Sequence, residues 1–240
     1  MRSNGRHTTS LCSLPQRPRT IGSVRGYKSI ITRNRPYHIL VVGDSGVGKS
    51  ALTVRFITKR FLTEYAPKEE ITVEKYIDID SCRMHVAITD SAKTVDVIPS
   101  DTSHIDGIMV VYDISKRPSF VAAIDILDSI SQDAIASRIP KCLIGNKADL
   151  EHLRQVSTIE GEIVTAQYVT LDCMFHETSA ENGVDSVNKA FQTLLRQIVQ
   201  IEEGKCFPSS YGSNPTLNRS RSLRAIMNRF RSRGKRTATI

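Results

Sequence analysis

The sequence has few cysteines and no long hydrophobic run, and these two shortages exclude several classes of protein. The longest apolar stretches, such as residues 108–112, span only a few residues, whereas a transmembrane helix needs about 20. The five cysteines are an odd number, are widely scattered and form no CxxC pair. That distribution argues against a disulfide framework and a structural zinc site, and it is typical of a reducing compartment.

Acidic residues are absent from both ends of the chain. Residues 1–36 contain eight Lys or Arg and residues 205–240 contain nine, with no Asp or Glu in either segment. Residues 37–204 therefore keep 16 of the 33 basic residues and all 25 acidic ones, a net charge of −9. The overall charge of +8 belongs to the flanking segments, so a polyanionic partner is expected to meet those segments.

The chain divides into three parts by composition. We predict disordered basic tails at 1–36 and 205–240, because segments rich in Ser, Arg, Asn, Gly and Pro cannot bury enough surface to offset their ordering entropy. Residues 37–204 form the folded domain. Runs typical of strands lie at 38–42, 71–79, 82–88, 108–112 and 142–144, and helical periodicity lies at 49–59, around 120–135 and at 184–201. This alternation predicts an α/β fold with a mostly parallel sheet of about six strands covered by about five helices.

A segment with the spacing GxxxxGKS joins the first predicted strand to the first predicted helix. Its glycines allow backbone amides to turn toward the β- and γ-phosphates of a nucleotide at the start of the helix. Lys49 adds a positive charge there, and the Ser50 hydroxyl can ligate Mg²⁺. The alternative is a chance match in a glycine-rich turn, which the flanking strand and helix oppose. The predicted phosphate site consists of Gly43, Asp44, Ser45, Gly46, Val47, Gly48, Lys49 and Ser50, followed by Ala51.

A carboxylate at the end of a neighbouring strand normally completes such a Mg²⁺ site. Asp90 closes the alternating strand that begins at Cys82, which is the position expected for this role. An Asp at a strand end is often only a turn residue. With the phosphate loop present, we predict that Asp90 contributes to the Mg²⁺ site indirectly, by contacting the groups that ligate the ion.

A second motif, NKxD, follows the predicted strand at 142–144. The Asp149 carboxylate can accept hydrogen bonds from N1–H and the exocyclic amine of guanine, which adenine cannot supply, so the site can discriminate strongly between the two bases. Asn146 begins the motif, and the alkyl stem of Lys147 can lie against the base. Thirty residues further on, the backbone of Ser179, Ala180 and Glu181 can contact the guanine oxygen.

With these motifs in this order, residues 37–201 resemble the Ras-like small GTPases. The register has no gap from Gly43 to Asp90. The resemblance implies the P-loop small-GTPase fold, GTP/GDP and Mg²⁺ as ligands, a catalytic role for Lys49, and Phe61 packing edge-on against guanine. The segment RFITKRF, the basic C-terminal part and the missing prenylation cysteine are most similar to the branch with the Ras-related oestrogen-regulated growth inhibitor and the Ras-like family 11 proteins.

Several positions depart from the family pattern. Lys68 stands where the family has the Mg²⁺-binding threonine of switch I, so this position lacks a ligand. In switch II, Lys93 replaces a glycine, and Thr94 is a weak replacement for the glutamine that positions the attacking water. Ser45 replaces a glycine that leaves room for an arginine finger. Because the water-positioning residue and the room for an arginine finger contribute about 10³–10⁵ in rate, we predict slow hydrolysis.

The sequence allows two functions. The first is a small monomeric GTPase in signal transduction, which meets effector and regulatory proteins through residues 60–80. The second is a non-catalytic adaptor, a pseudo-GTPase that keeps the fold and acts through its basic tails at membranes or partner proteins.

The C-terminal segment carries a further pattern. Leu223, Ile226, Met227 and Phe230 fall at helical spacing among arginines, which as a helix would fit an anionic membrane or calmodulin. A nuclear-import signal or a plain basic tail are the alternatives. No specific nucleic acid is expected, because the tails have no aromatic stacking pattern. We predict a cytoplasmic protein, with the inner face of the plasma membrane reached without prenylation, and rank the nucleus and mitochondrion lower.

Overall fold

The computed structural model describes residues 19–21, 29–61, 71–80, 82–91, 102–168 and 173–203. These residues form four α-helices: α1 (Lys49–Thr58), α2 (Arg117–Gln132), α3 (Thr158–Gln167) and α4 (Val184–Glu202). Two 3-10 helices lie at Ala136–Arg138 and Glu151–Leu153. The strands are β1 (Arg19–Ile21), β2 (Ser29–Thr32), β3 (Tyr37–Gly43), β4 (Ile71–Ile79), β5 (Cys82–Asp90), β6 (Gly107–Asp113), β7 (Lys141–Asn146) and β8 (Cys173–Glu177).

The strands form one mostly parallel sheet. Its order is β1-β2-β5-β3-β6-β7-β8, and β4 also pairs with β5. The pairs β3–β5, β3–β6, β6–β7 and β7–β8 are parallel, whereas β4 runs antiparallel to β5. The six strands β3–β8 confirm the predicted α/β fold with a mostly parallel sheet.

Helices cover both faces of the sheet, because the central strands are apolar on both sides. Every residue of β6 and β7 is buried, which is typical of parallel strands between two helical layers. On one face α1 and α4 pack together, with the rings of Phe56 and Phe191 stacked at 4.2 Å. On the other face α2 and α3 cover a cluster that includes Phe120 and Val164.

Helix α3 and the strands β1, β2 and β8 were not predicted, and helix α2 was misplaced. Helix α3 has a weak apolar pattern, but its start is fixed by a capping box between Ser157 and Glu160, and a Cβ on Gly161 would lie 2.4 Å from the Phe175 ring of β8. Helix α2 spans Arg117–Gln132 instead of 120–135, because the Asp133 side chain accepts bonds from the backbone of the next turn and ends the helix.

The N-terminal segment contributes to the sheet. Strands β1 and β2 lie within residues 1–36, which we had assigned to a tail, and β2 pairs in parallel with the start of β5 at Cys82 and Arg83. The described residues contain four α-helices, one fewer than the predicted five. None of these helices is long and apolar enough to cross a membrane.

Candidate functional site

The glycine-rich segment turns sharply between β3 and α1. Gly43, Gly46 and Gly48 have φ angles of 146°, 72° and 96°, a region that side chains rarely adopt. A Cβ on Gly48 would lie only 2.4 Å from the Asn146 side-chain nitrogen. The absence of a side chain at Gly48 therefore lets the NKxD motif, here called the base motif, approach the loop that precedes α1.

Lys49 lies inside this loop. Its side chain is buried, and its ammonium donates to the carbonyl oxygens of Gly43 at 2.9 Å and Asp44 at 3.0 Å. Burial lowers the pKa of Lys49, although the nearby carboxylates of Asp90 and Asp44 oppose this shift. A cation held in this way at a helix N-terminus is suited to bind phosphate oxygens.

Ser50 and Asp90 meet where a Mg²⁺ ion is predicted. The Ser50 hydroxyl donates to Asp90 Oδ2, whereas the buried Asp90 Oδ1 has no hydrogen-bond partner. Burial raises the pKa of Asp90, and Ser50 and Lys49 partly offset that effect. A hydroxyl beside an unsatisfied, desolvated carboxylate fits the oxygen donor set of Mg²⁺. Within the described ranges, no cluster of three or more His, Cys, Asp or Glu offers another metal site.

Asn146 joins three loops. Its amide nitrogen donates to the Val47 carbonyl at 2.9 Å, and its Oδ1 accepts from the Thr178 hydroxyl at 3.2 Å. The side chain is almost completely buried. The first residue of the NKxD motif thus fixes the phosphate loop and the segment after β8 to the end of β7.

Lys147 connects the base motif to the phosphate loop a second time. Its ammonium donates to the Gly46 carbonyl at 2.9 Å and pairs with Asp113 Oδ2 at 2.8 Å. Lys147 adopts a φ of 64°, which is uncommon for a residue with a side chain and often occurs at functional sites. The backbone turn and both contacts place its alkyl stem along the edge of the site.

Asp113, which closes β6, was not predicted as a site residue. Burial by itself would raise the pKa of Asp113, but bonds from Lys147 and Ser115 hold that pKa below its usual value. Asp113 therefore stays ionised although it is fully buried. Its position at a strand end matches that of Asp90, a signal that marks it as a candidate, whereas its contact with Lys147 depends on how β6 pairs with β7.

The residues predicted to contact guanine lie next to each other. Ser179 Oγ donates to Asp149 Oδ1 at 2.5 Å and accepts from the Asn182 amide at 2.9 Å. Ala180 is buried, and the Glu181 carbonyl accepts from Arg55 at 3.0 Å. Asp149 is therefore held in place by the segment that follows β8, as the spacing of the two motifs predicts.

The remaining predicted residues differ in how the structure places them. Ala51 and Phe61 are half-buried against the core cluster below α1 and α4, and the contact of Phe61 with guanine stays a prediction. Ser45 lies in the loop, where its amide donates to Asp44 Oδ1 at 2.7 Å. Lys68, Lys93 and Thr94 fall outside the described residues.

All these groups gather at one edge of the sheet. The phosphate loop follows β3, Asp90 closes β5, Asn146 closes β7 and Ser179 follows β8. Ligands of α/β sheets bind at the carboxyl ends of the strands, and the loop geometry there is that of a phosphate site. The fold and this site define a P-loop nucleotide-binding protein.

Comparison with known proteins identifies the family. The model of the Ras family matches residues 38–200, so the chain belongs to the Ras family of small GTP-binding proteins. It is 38% identical to human "Ras-related and estrogen-regulated growth inhibitor" over 67% of this chain and 80% of that protein. It is 34% identical to "Ras-like protein 2" of Mucor circinelloides f. lusitanicus over 72% of this chain and 86% of that protein. These matches confirm the resemblance found in the sequence.

Proposed function

We propose that this protein binds GTP and GDP with Mg²⁺, hydrolyses GTP slowly and acts in signal transduction. The observation that carries the proposal is the physical link between the two motifs: Asn146 and Lys147 of the base motif hold the carbonyls of Val47 and Gly46 in the phosphate loop. A protein that had lost nucleotide binding would have no need to keep both.

Binding is divided among the chain's own groups. Lys49 and the amides at the start of α1 hold the phosphates, and Asp149 and the backbone at Ala180 select guanine. Ser50 and Asp90 would hold Mg²⁺, which when bound neutralises charge on the β- and γ-phosphate oxygens. The fixed loops and the buried Lys49 keep the phosphate donors in position before nucleotide arrives.

Slow hydrolysis follows from the sequence of the two switches. Attack by water on the γ-phosphate needs a group that positions the water, and Thr94 has a short side chain without an amide. Lys93 replaces the small residue whose amide would face the γ-phosphate, and Lys68 offers no oxygen to Mg²⁺. We therefore expect intrinsic turnover to be limited by chemistry rather than by binding.

The test begins with the nucleotide that the purified full chain carries. Denaturation followed by chromatography identifies it, and single-turnover hydrolysis of GTP with and without Mg²⁺ measures the reaction. Bound GTP that persists for hours supports the slow GTPase. A protein with no measurable guanine affinity would overturn the proposal and favour the adaptor.

Thr94→Gln by itself is expected to raise the single-turnover hydrolysis rate less than about tenfold. A glutamine that positions the water is only one of the features that together accelerate hydrolysis by about 10³–10⁵. The reason is that Lys93 and Ser45 still stand where the family pattern has glycines. The triple variant with Lys93→Gly and Ser45→Gly serves as the comparison and should be faster. A hundredfold gain in the single variant would contradict this account of the switches.

Asp90→Asn is expected to separate stability from Mg²⁺ binding. Burial raises the pKa of Asp90, so its ionised carboxylate destabilises the protein when no nucleotide is bound. A neutral amide at this position should therefore leave the melting temperature of the nucleotide-free protein unchanged or raise it. The stabilisation by MgCl₂ in the presence of GDP should largely disappear. Thermal unfolding with EDTA, GDP and GDP plus MgCl₂ measures both effects. An unchanged Mg²⁺ increment would place the ion elsewhere.

Partner binding is assigned to residues 60–80. Within this range β4 exposes Glu74, Lys75 and Tyr76, and the Tyr76 ring stacks on His85 at 4.6 Å. An exposed aromatic among charged groups is typical of protein interfaces, which supports a surface for effectors and regulators.

The rest of the proposal concerns location and the C-terminal segment. We place the protein in the cytoplasm, with its C-terminal basic segment able to meet an anionic membrane or calmodulin. Residues 204–240 fall outside the described part of the chain, so the sequence pattern alone supports these partners.

A further inference from the structure

Asp113 is a buried carboxylate that belongs to neither nucleotide motif. It closes β6 and lies in parallel register with Asn146 at the end of β7. Its side chain has no surface exposed to solvent. A buried charge is costly unless charged or polar partners compensate for the lost water. The partners of Asp113 therefore show which groups its charge serves.

One oxygen of Asp113 is held by the turn that leads into α2. Oδ1 accepts from the backbone amide of Ser115 at 2.8 Å and from the Ser115 hydroxyl at 2.6 Å. The Lys116 amide donates to the Asp113 carbonyl at 3.0 Å, and the Asp113 amide donates to the Ser119 hydroxyl at 3.0 Å. These bonds fix both the backbone of Asp113 and the direction of its side chain.

The other oxygen of Asp113 faces Lys147. The Lys147 ammonium lies 2.8 Å from Asp113 Oδ2, and no other described residue donates a hydrogen bond to that oxygen. The same ammonium donates to the Gly46 carbonyl of the phosphate loop at 2.9 Å. Charge-assisted contacts thus run from the end of β6 through Lys147 to the phosphate loop.

Lys147 needs a fixed partner to stay on the phosphate loop. Its side chain is 30% exposed, and a lysine ammonium is a strongly hydrated charge on a flexible stem. Water therefore competes with the Gly46 carbonyl for this group. The Asp113 carboxylate opposes that competition, because an ion pair with a buried partner is screened much less than an exposed one.

We propose that Asp113 is a positioning residue for nucleotide binding, which holds the Gly46 carbonyl through Lys147 and so slows the release of GDP and GTP. The inference rests on the proposed function, because it concerns how long a nucleotide stays at that site. Gly46 has a φ of 72°, and an added Cβ there would meet nothing nearer than the Lys116 ammonium at 4.0 Å. With so much open space around Gly46, the bond from Lys147 is what restrains its peptide.

The charge of Asp113 by itself would have the opposite effect. A carboxylate near the phosphate loop repels the negative phosphates of a nucleotide. If charge alone mattered, removal of the carboxylate would slow nucleotide release. A positioning role predicts faster release, because Lys147 loses the group that orients it. The sign of the change therefore separates the two explanations.

Asp113→Asn is expected to raise the dissociation rate of a fluorescent GDP analogue at least about tenfold, since a hydrogen bond to a charged group is worth about 10–100-fold. The amide has the size of the carboxylate but only one oxygen. Because Ser115 donates twice to Oδ1, the oxygen stays there and the NH₂ group faces the Lys147 ammonium. Displacement by excess unlabelled GDP in the presence of Mg²⁺ measures the rate.

Ser115→Ala is a milder variant that keeps the charge of Asp113. It removes the hydroxyl bond to Oδ1 and leaves the amide bond in place. A neutral hydrogen bond contributes less than a charged one, so we expect dissociation to rise at least about twofold. This variant tests the same role if Asp113→Asn does not fold, which thermal unfolding without nucleotide shows.

Asp106→Asn is the matched control at the other end of the same strand. Asp106 directly precedes β6 and pairs with Arg33 at 2.9 Å and with Arg35 at 2.7 Å. Arg33 keeps Glu202 as a second partner at 3.1 Å, so we expect this variant to fold. It loses an ion-paired carboxylate, as Asp113→Asn does, but it should release GDP at the parent rate even if its melting temperature falls.

A double-mutant cycle tests whether Asp113 acts through Lys147. Lys147→Met removes the ammonium and should itself speed nucleotide release. Adding Asp113→Asn to that variant should change the dissociation rate less than about twofold, because no ammonium is left to orient. A purely structural role of Asp113 would instead add its full effect to that of Lys147→Met.

Several results would overturn the proposal. Release from folded Asp113→Asn and Ser115→Ala could be unchanged, or slower, as charge alone would predict. Asp106→Asn could speed release as much as Asp113→Asn, which would indicate a general loss of stability. The two substitutions of the cycle could have additive effects. A parent protein that binds no GDP would overturn the proposed GTPase as well, whereas a parent that binds GDP with these outcomes would overturn this inference alone.

Discussion

Asp149→Asn is expected to weaken binding of GTP and GDP by about 10³-fold or more. In the proposed site the parent carboxylate would accept two hydrogen bonds from guanine, and a site built for such bonds discriminates by about 10⁴–10⁵. An asparagine keeps one acceptor and turns the other toward guanine as an NH₂ group, so two donors face each other. The cost is that of an unsatisfied buried pair rather than of one lost bond.

The same variant should remain folded and should gain a different ligand. Ser179 Oγ donates to Asp149 Oδ1, and the amide oxygen of asparagine can accept this bond. Xanthine carries a carbonyl where guanine has its amine, so xanthosine diphosphate should bind the variant more tightly than GDP does.

Titration calorimetry with GDP and xanthosine diphosphate measures both affinities. Asp185→Asn, an exposed acidic residue in the first turn of α4, removes the same charge away from the site and should bind GDP like the parent. Retained GDP affinity in Asp149→Asn would show that the base is read by other residues.

The sequence allowed most of the sheet to be predicted, because its central strands depend on local patterns. The runs at 39–42 and 108–112 are apolar throughout, and the structure buries them from both sides. Helix α3 and strand β8 could not be predicted in this way. The residues of β8 are half-buried, and those of α3 range from buried to exposed. Their contact depends on a Phe175 ring that fills the space above Gly161. Such packing joins residues far apart in sequence and leaves no periodic signal.

The candidate site, like the fold, could be predicted only in part from local sequence. Each motif was recognisable from its spacing, but the groups that hold the motifs in place were not. Asp113 belongs to no motif, and Thr178 begins the segment TSAE without a predicted role. Both act only because parallel strands bring their ends beside Lys147 and Asn146. Their roles follow from the register of β6, β7 and β8, which cannot be read from one strand alone. The contact between Arg33 and Glu202 lies further still from any motif.

Gly43→Ala is expected to lower the free energy of unfolding by about 2–6 kcal/mol. Two costs add at this position. A Cβ would lie 2.2 Å from the Val111 carbonyl oxygen, and overpacking of a core costs about 1–3 kcal/mol. The φ of 146° adds strain of about 1–3 kcal/mol for a residue with a side chain. Since Gly43 pairs with Val111 between β3 and β6, neither backbone can move without disturbing the centre of the sheet.

Gly46→Ala is the matched control, because it separates backbone strain from the steric clash. Gly46 has a φ of 72°, but the nearest atom to an added Cβ is the flexible Lys116 ammonium at 4.0 Å. Only the left-handed backbone should cost free energy there, about 1–2 kcal/mol. Urea unfolding of both variants at the same excess of GDP measures the difference, since bound nucleotide stabilises either fold by mass action. Equal losses in the two variants would mean that β3 and β6 can separate at Gly43, and then the phosphate loop would not be fixed by the sheet beneath it.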